Sequence, residues 1–537
     1  MVYPYKIGQK LPISLSLFKL PLYSLRTVLR MFIALILSIL FTFVFGTFAA
    51  KSNKAEKIII PLIDILQSVP VLSFVSITVN SFVYLFPGCL LGAEFASIFA
   101  IFTAQVWNIV LGFYQSLRLL PNDLKEVAEI FQLSAWQKFW KIEVPFSISN
   151  LLWNIMISMS SSWFFVVVSE AISIAHYSIH LPGIGSYIAL AIECRDLLAV
   201  CYSIFAMVII IFLCDQILFR PLIVWSEKFK IKQCINEDEY KSWLINLMRS
   251  GILIKIIYKK ICIFKDHFIN TYWIKKVYIK KFNFVKFLYL KQINWLLNFF
   301  ILIFIGTIIW VLIKFVLMKF NLIEIFHVCL LGAITSIRVL VLIVISSLIW
   351  IPIGVYIGLN PKFSQKIQPV IQFVSSIPAN LFYPLFVIII VYFHLNTEIF
   401  LTPLMILGMQ WYILFNVIAG ASNIPSDLRL VADNFNLTGW KWWKRLVFPS
   451  IFPFYITGAI TASGGAWNAS VVSEYVSWGN IVLKANGLGG YIQTNIIDNN
   501  FSKVILGTII MCIYVLMFNH LIWKPLYRLA KNRCCLF

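Results

Sequence analysis

Long apolar runs alternate with short polar turns along most of the chain. Runs of about 20 apolar residues are long enough to cross a hydrocarbon core of about 30 Å as helices. Turn residues such as Pro87-Gly88 separate consecutive runs. The pattern therefore predicts an all-α polytopic membrane protein. The predicted spans lie at 28–49, 62–86, 92–117, 148–172 and 198–219, then at 294–318, and then at 335–358, 368–393, 399–421, 452–475 and 502–523.

The second half of the chain repeats the first. Fourteen residues recur 304 positions later, and the first members of the pairs are Trp107, Pro121, Leu124, Ala128, Phe131, Leu133, Trp136, Pro145, Trp163, Ser169, Glu170, Gly183, Gly185 and Tyr187. Upstream, Ser68 and Pro70 pair with Ser376 and Pro378 at an offset of 308, while Arg26 and Gly46 pair with Arg338 and Gly358 at 312. Shared hydrophobicity does not produce so many identities in one register, so we infer two copies of one five-helix domain.

The topology accounts for the one span that has no partner. If the segments near Lys138 and Lys441 are both cytoplasmic, each five-helix unit begins outside and ends inside. A further crossing at 294–318 then returns the chain to the outside, which gives about 11 spans. We predict a first transmembrane domain at 1–225, a basic cytoplasmic linker at 226–293 and a second domain at 294–537.

Composition and charge agree with this class and exclude others. The 537 residues are 61% hydrophobic and 12% charged, against about 25% charged in soluble domains, so no large soluble catalytic domain fits. The formal net charge of +22 is concentrated in the linker, where 226–291 holds 15 basic and 5 acidic residues. Such a segment between spans is typical of a cytoplasmic loop facing anionic lipid, so we expect a lipid partner and no nucleic acid.

The loop between the third and fourth spans of each unit carries a recognisable pattern. In the first unit Glu126-Val127-Ala128 is followed at fixed distances by Gln132 and by Ile142-Glu143-Val144-Pro145. The second unit keeps the frame as Leu430-Val431-Ala432, Asn436 and Leu446-Val447-Phe448-Pro449. This frame resembles the EAA loop of ABC-importer permeases, which consists of Glu-Ala-Ala, a Gly and Ile-x-Leu-Pro.

Downstream residues narrow the resemblance. Segments 465–474 and 487–492, echoed in the first unit around Trp163, Glu170 and 182–188, resemble the nitrate, sulfonate and taurine branch of these permeases. The resemblance implies a bacterial cytoplasmic (inner) membrane permease with two ABC ATPase subunits and an extracytoplasmic solute-binding protein as partners. It implies a small solute, such as an oxyanion or sulfonate, and no catalytic, cofactor or metal site in this chain. ATP and Mg would bind the partner ATPase, since no Gly-x-x-x-x-Gly-Lys-Ser/Thr occurs here.

The coupling loops have a physical rationale, because a short amphipathic helix ending at a Pro can transmit ATPase movement into the next span. Leu124, Val127, Ala128 and Phe131 fall at helical spacing and predict one apolar docking face. An ordinary interfacial helix is the alternative. Two departures are that Gln132 and Asn436 replace the Gly of the turn, and that Leu430 replaces the first Glu. The second loop is therefore expected to dock more weakly, or on a different ATPase surface. The predicted ATPase-coupling residues are Leu124, Glu126, Val127, Ala128, Phe131, Gln132, Trp136 and Pro145, and Leu428, Val431, Ala432, Phe435, Asn436, Trp440 and Pro449.

Acidic and aromatic residues within the spans are candidates for the translocation path. Glu170 and Glu474 occupy matched positions near the end of the fourth span of each unit, and a carboxylate in hydrocarbon usually faces a cavity or a partner. Trp163 and Trp467 could line the path, although packing or interfacial anchoring is the commoner role. Helix-to-helix hydrogen bonding remains the alternative for both Glu residues. Arg26 and Arg338 lie on the predicted outer side, and the sequence does not assign them as donors to these carboxylates.

One other function class stays open. An ion-coupled secondary transporter built from parallel repeats would also show an internal repeat. Such a carrier needs no twice-repeated cytoplasmic coupling loop, and few acids that could serve coupling recur in both halves. We therefore expect the permease subunit of an ABC importer and no enzymatic activity in this chain.

Overall fold

The structure is a computed structural model that describes residues 13–68, 91–174, 177–226, 314–479 and 481–533, with isolated residues between 71 and 90 and between 306 and 311. The described residues contain eight helices long and apolar enough to cross a membrane, or nine if a bent pair counts as one span. The eight are Leu17–Lys51, Leu91–Arg118, Ala135–Glu170, Leu197–Ser226, Leu322–Leu359, Thr397–Ser422, Gly439–Ser473 and Phe501–Ala530. The bent pair is Pro361–Ser376 with Ala379–Tyr392, at 65°.

These helices match nine of the predicted spans and confirm an all-α polytopic membrane architecture. They are spans 1, 3, 4 and 5 of the first half and spans 1 to 5 of the second, numbered in chain order within each half. Span 2 of the first half is described in its early part, as the helix Asn53–Ser68. The span predicted at 294–318 lies mostly outside the described residues, as does the linker at 226–293. The count of eleven and the domain limits stay predictions.

Short elements connect the spans at both ends. The loop before each fourth span contains two helices, Asn122–Ile130 and Ala135–Lys138 in the first half and Ser426–Asn434 and Gly439–Trp442 in the second. After each fourth span comes an unpredicted antiparallel hairpin, with Ala171–Ile174 paired to Tyr177–His180 and Tyr475–Trp478 paired to Ile481–Lys484. Helices Ile184–Glu193 and Leu488–Ile497 follow the hairpins. Four-residue strands are too short to show the alternation by which a strand is recognised in sequence.

Local departures from α-helical geometry also repeat. The fourth spans contain π-helical turns at Phe139–Glu143 and Trp443–Val447, and the fifth spans contain them at Asp215–Phe219 and Asn519–Trp523. Each pair is again separated by 304 positions. A π turn costs helix stability and is retained where it serves packing or function, so the repeat extends to backbone geometry.

Glycine packing corrects the alignment of the first spans. A Cβ on Gly46 would meet Phe113 at 3.0 Å, and one on Gly354 would meet Val417 at 2.8 Å. Phe113 and Val417 are themselves equivalent, so Gly46 corresponds to Gly354 at an offset of 308. The predicted pairing of Gly46 with Gly358 is wrong. Glycines at 354 and 358 lie one helical turn apart; the neighbouring helix shows that Gly354 is the match, in agreement with the offset of 308 found for Ser68 and Pro70.

The two halves pack by exchanging their second spans. Gln372 in span 2 of the second half donates from Nε2 to Met156 O (3.2 Å) and Ser160 Oγ (2.9 Å) in span 4 of the first half. The hydroxyls of Ser160 and Ser376 are 2.9 Å apart. Leu381 is buried in the core of the first half, and Val79 of the first half is buried in the core of the second. Each half therefore supplies part of the other's core.

The serine pair makes the exchange testable. In a background with the ten native cysteines replaced by serine, Ser160→Cys with Ser376→Cys should form a disulfide, because the two hydroxyls are in contact. After proteolytic cleavage within 226–293, the fragments should stay joined on a non-reducing gel and separate on reduction. Ser162→Cys with Ser376→Cys is the control, because Ser162 faces away and donates to Ser158 O of its own helix. Equal cross-linking of both pairs would contradict the packing.

Candidate coupling loops and buried charge clusters

The first coupling loop folds as two short helices joined by a left-handed turn. Gln132, with a φ of 46°, occupies the left-handed region between them. Ser134 then caps the second helix, since its hydroxyl accepts from Gln137 N and Gln137 Oε1 accepts from Ser134 N. This capping box satisfies amides that would otherwise lack partners at the helix start. The turn thus forms without the usual glycine.

The second loop repeats this geometry with different residues. Asn436 has a φ of 47° at the position equivalent to Gln132. Gly439 follows with a φ of 58°, and the N-cap residue Thr438 makes no side-chain capping bond. The left-handed residue between the helices is therefore a property of the loop in both halves, and the frame quoted from the sequence identifies its position correctly.

The residues of the predicted docking face do not all point the same way in the structure. Ala128 and its equivalent Ala432 are buried against their own chain. Phe131 is 72% exposed and Phe435 74% exposed, and Val127 and Val431 are exposed beside them. Ala128 and Ala432 thus hold each helix to the protein, while the phenylalanine and valine side chains point outward. Leu124 and Leu428 are half-buried, whereas Glu126, Gln132 and Asn436 are exposed.

Aromatic residues lie beneath and beside the loops. The Trp136 ring packs edge-to-face on Trp140, with centroids 5.7 Å apart and an interplanar angle of 68°, and Trp440 packs against Phe448 at 6.1 Å. Trp136 is half-buried and Trp440 is exposed. Pro145 and Pro449 lie two residues after the π-helical turns, inside the continuous helices Ala135–Glu170 and Gly439–Ser473. A role of these residues in ATPase coupling stays a prediction.

At the other end of the spans, a buried ion cluster joins three spans of the first half. Arg30 in span 1 donates from Nε and Nη2 to both carboxylate oxygens of Glu94 in span 3, at 2.6 and 2.8 Å. Its Nη1 donates to Glu170 Oε1 in span 4 at 2.6 Å. All three side chains are almost completely buried. Removing a member would leave a buried charge without its partner.

Glu170 also fixes the structure that follows the fourth span. Its Oε1 accepts from Thr27 Oγ1 (2.8 Å) and its Oε2 from Gly185 N (2.8 Å). Its backbone carbonyl accepts from Leu181 N and Ser186 Oγ. A Cβ on Gly183 would lie 2.3 Å from the Glu170 carboxylate, so only glycine fits there. Glu170 thus holds the residue that follows the hairpin and the first turn of the helix Ile184–Glu193 in place.

The second half contains the same cluster in a more open form. Arg338 donates from Nη1 to Glu474 Oε1 at 3.1 Å and from Nη2 to Glu398 Oε2. Thr335 Oγ1 donates to Glu474 Oε1, and Gly490 N donates to its Oε2. Arg338 is 12% exposed and Glu398 is 36% exposed. Glu398 belongs to the short helix Thr397–Phe400, whereas Glu94 lies in the long helix of span 3.

These contacts correct the arginine assignment. Arg30, not Arg26, is equivalent to Arg338, at the same offset of 308 that relates Gly46 to Gly354. Arg30, Glu94 and Glu398 were not predicted from the sequence, although Glu94 and Glu398 obey the offset of 304. An acidic pair at that offset, at the start of the two predicted third spans, was a signal that could have identified the two carboxylates. Trp163 and Trp467 are buried in the cores of their own halves, and a place for them and for the Glu pair on the translocation path stays a prediction.

Comparison with known proteins agrees with this architecture. Residues 42–220 and 350–522, together well over half of the chain, match the family described as binding-protein-dependent transport system inner membrane component. The chain belongs to this family. It is therefore a multi-pass inner-membrane protein, and the two matched regions correspond to the two halves.

Individual relatives are more distant. The chain is 29% identical over 165 residues to the bicarbonate transport system permease protein CmpB of Synechococcus elongatus, covering 31% of the chain and 56% of the relative. It is 26% identical over 185 residues to the nitrate import permease protein NrtB of Leptolyngbya laminosa, covering 34% and 63%. It is 28% identical over 159 residues to the glycine betaine/carnitine transport permease protein GbuB of Listeria monocytogenes, covering 28% and 48%. The chain thus spans about half to two thirds of the length of these relatives.

The paired clusters allow a matched stability prediction. Glu170→Ala removes two acceptors and leaves a fully buried Arg30 with Glu94 alone, which should destabilise the protein by about 3–5 kcal/mol. Glu474→Ala should cost less, because Arg338 and Glu398 are partly hydrated. Thermal unfolding of the detergent-solubilised chain, followed by loss of the monodisperse peak in size-exclusion chromatography, measures the difference. A larger loss for Glu474→Ala would contradict the order.

Proposed function

We propose that this chain is the complete membrane pathway of an ABC importer, with both transmembrane domains fused in one polypeptide. A small solute would cross between the two halves as they alternate between inward-facing and outward-facing states. Two separate ATPase subunits would supply the energy. Catalysis of ATP hydrolysis, with its Mg, would take place in those subunits.

The two coupling loops are the observation that carries this proposal. Each presents an exposed phenylalanine and valine on a short helix whose alanine is buried in the membrane domain. Apolar side chains at helical spacing on a water-facing helix favour insertion into a partner's groove. Two such surfaces related by the internal repeat require two equivalent partners, which fits a pair of ATPase subunits.

The names of the relatives are what supports a solute class. The names of the relatives specify bicarbonate, nitrate and glycine betaine. We propose a small oxyanion, delivered by an extracytoplasmic solute-binding protein, for this chain. The charged clusters favour a structural role over direct anion binding, because their arginines are already paired with two carboxylates each.

An ion-coupled secondary transporter is the second candidate. It would need a titratable group free to exchange a proton or cation during transport. Glu170 and Glu474 are the matched intramembrane acids, and both accept hydrogen bonds from arginine, threonine and a backbone amide. This arrangement favours the ATP-driven alternative.

The first test of the function asks whether ATP hydrolysis drives transport. The purified chain should copurify with an ATPase encoded beside it, and proteoliposomes of the complex should accumulate labelled bicarbonate or nitrate only while ATP is hydrolysed. A catalytically inactive ATPase variant is the control. Uptake driven by an ion gradient with no ATPase present would overturn the proposal.

The second test concerns the docking surfaces. Phe131→Asp should weaken ATPase binding, because it places a charge on an apolar contact; loss of a buried aromatic anchor costs about 2 kcal/mol or more. Phe435→Asp is the matched change in the second loop. Tyr392→Asp is the control and should leave binding unchanged, because Tyr392 is exposed at the end of span 2 of the second half that lies away from the coupling loops. Binding is measured by the ATPase retained on the immobilised chain at increasing salt, and retention equal to wild type in both loop variants would exclude these faces as docking sites.

A further inference from the structure

A pair of contacts in the first half joins the coupling region to span 1. Lys51, the last residue of that span, places Nζ 2.8 Å from Glu143 Oε2 at the start of span 4. The Lys51 side chain is 44% exposed, whereas Glu143 is buried. Lys51 Nζ also lies 6.0 Å from the centre of the Phe139 ring, one turn earlier in the same π-helical segment.

In the second half, hydrogen bonds to helix-end carbonyls, and not an ion pair, join the coupling loop to the end of span 1. Arg429, within the coupling helix Ser426–Asn434, donates from Nη1 to the carbonyl of Leu359 and from Nη2 to the carbonyl of Ala421, each at 3.4 Å. Leu359 is the last residue of span 1, and Ala421 lies at the end of span 3. Carbonyls at a helix end lack intrahelical partners and carry partial negative charge, so they attract a guanidinium.

The two contacts share one equivalent position, the last residue of span 1, and differ in the residue that meets it. Lys51 aligns with Leu359 at the offset of 308 that holds for span 1. Glu143 aligns with the buried Val447 at 304, and Lys125 of the first coupling helix aligns with Arg429. The positions of the second half that are equivalent to Lys51 and Glu143 therefore form no ion pair. Both halves nevertheless attach the coupling region to the final residue of span 1.

We propose that these loop–span contacts, Lys51–Glu143 and Arg429–Leu359, transmit movement of each coupling loop to span 1 of the same half. The residues act as positioning residues, since they touch neither solute nor nucleotide. The inference rests on the proposed function, because it assumes that ATPase subunits move the loops. Covalent continuity already links each loop to spans 3 and 4. Span 1 has no such link, and in the first half its cytoplasmic end meets the coupling region through the Lys51–Glu143 pair and through packing of Phe43 on Phe139 and Trp140.

Span 1 matters because it carries Arg30 and Arg338, each 21 residues before the last residue of its helix, Lys51 or Leu359. A displacement of the cytoplasmic end of a rigid helix moves the rest of that helix as well. The arginine of each cluster holds spans 3 and 4 together through two carboxylates. One helix thus contacts the coupling region at its cytoplasmic end and the ion cluster about six turns further along.

The test measures the movement of span 1 separately from that of span 4. Spin labels on Phe48→Cys and Tyr356→Cys, equivalent exposed positions near the ends of the two first spans, report the first-span distance. Labels on Lys141→Cys and Arg445→Cys, also equivalent and exposed, report the fourth-span distance. Both pairs are measured in the cysteine-free chain with its copurified ATPase, before and after trapping with ATP and vanadate.

The variants replace the first-half contact with the residues of the second half. Lys51→Leu with Glu143→Val reproduces Leu359 and Val447, so the pair of substitutions is compatible with the fold. We expect it to halve the nucleotide-dependent shift of the first-span distance and to leave the fourth-span shift at its wild-type value. Adding Lys125→Arg should restore the first-span shift, because it introduces the contact that Arg429 makes.

The outcomes separate this inference from the proposed function. Wild-type protein that binds no ATPase, or shows no nucleotide-dependent shift in either pair, would overturn the proposed function. A full first-span shift in the Lys51→Leu, Glu143→Val variant would overturn the inference alone, as would an equal loss of both shifts, because the contact would then act on the whole loop. Loss of only the first-span shift, recovered with Lys125→Arg, supports it.

Discussion

The fold depends on satisfying a carboxylate inside the membrane. Glu170 and Glu474 stand at the ends of the fourth spans, where an unpaired charge would cost several kcal/mol. Each is satisfied by an arginine from span 1, a threonine from the same helix and a backbone amide beyond the hairpin. These partners come from elements distant in sequence, so the requirement of one side chain fixes the relation of spans 1, 3 and 4 and the path of the chain after them.

The repeat preserves this arrangement but does not keep the halves identical. The first cluster is sealed, whereas the second is partly hydrated through Glu398. The cytoplasmic ends differ too, since Arg118 pairs with Glu56 in the first half and the equivalent positions are serines in the second. Fusion in one chain permits such divergence, because each half always meets the other and never a copy of itself.

The exchanged second spans explain why the two halves form one unit. Polar bonds from Gln372 and Ser376 to span 4 of the first half lie in a low-dielectric region, where satisfying a backbone carbonyl or hydroxyl is worth more than at the surface. The break between Ser376 and Ala379 falls within this contact, and irregular backbone at membrane depth is tolerated where protein covers it. The proposed solute path between the halves would therefore open beside an interface that both halves share.

The sequence by itself determined the membrane class, the repeat, nine of the spans and the positions of both coupling loops. Hydrophobic periodicity, fixed offsets between matching residues and turn residues are signals that can be read from the chain without knowing which helices pack together. It also identified Gln132 and Asn436 as the sites of the left-handed turns. Only the tertiary structure decided that Arg30 and not Arg26 pairs with Glu170, that Ala128 faces inward while Phe131 faces outward, and that span 2 of the second half packs on the first. Those outcomes depend on which helix face meets which neighbour. The sequence held one signal that favours Arg30 over Arg26, since Arg30 pairs with Arg338 at the offset of 308 that also relates Ser68 and Pro70 to the second half, but an offset cannot show which carboxylate the arginine meets.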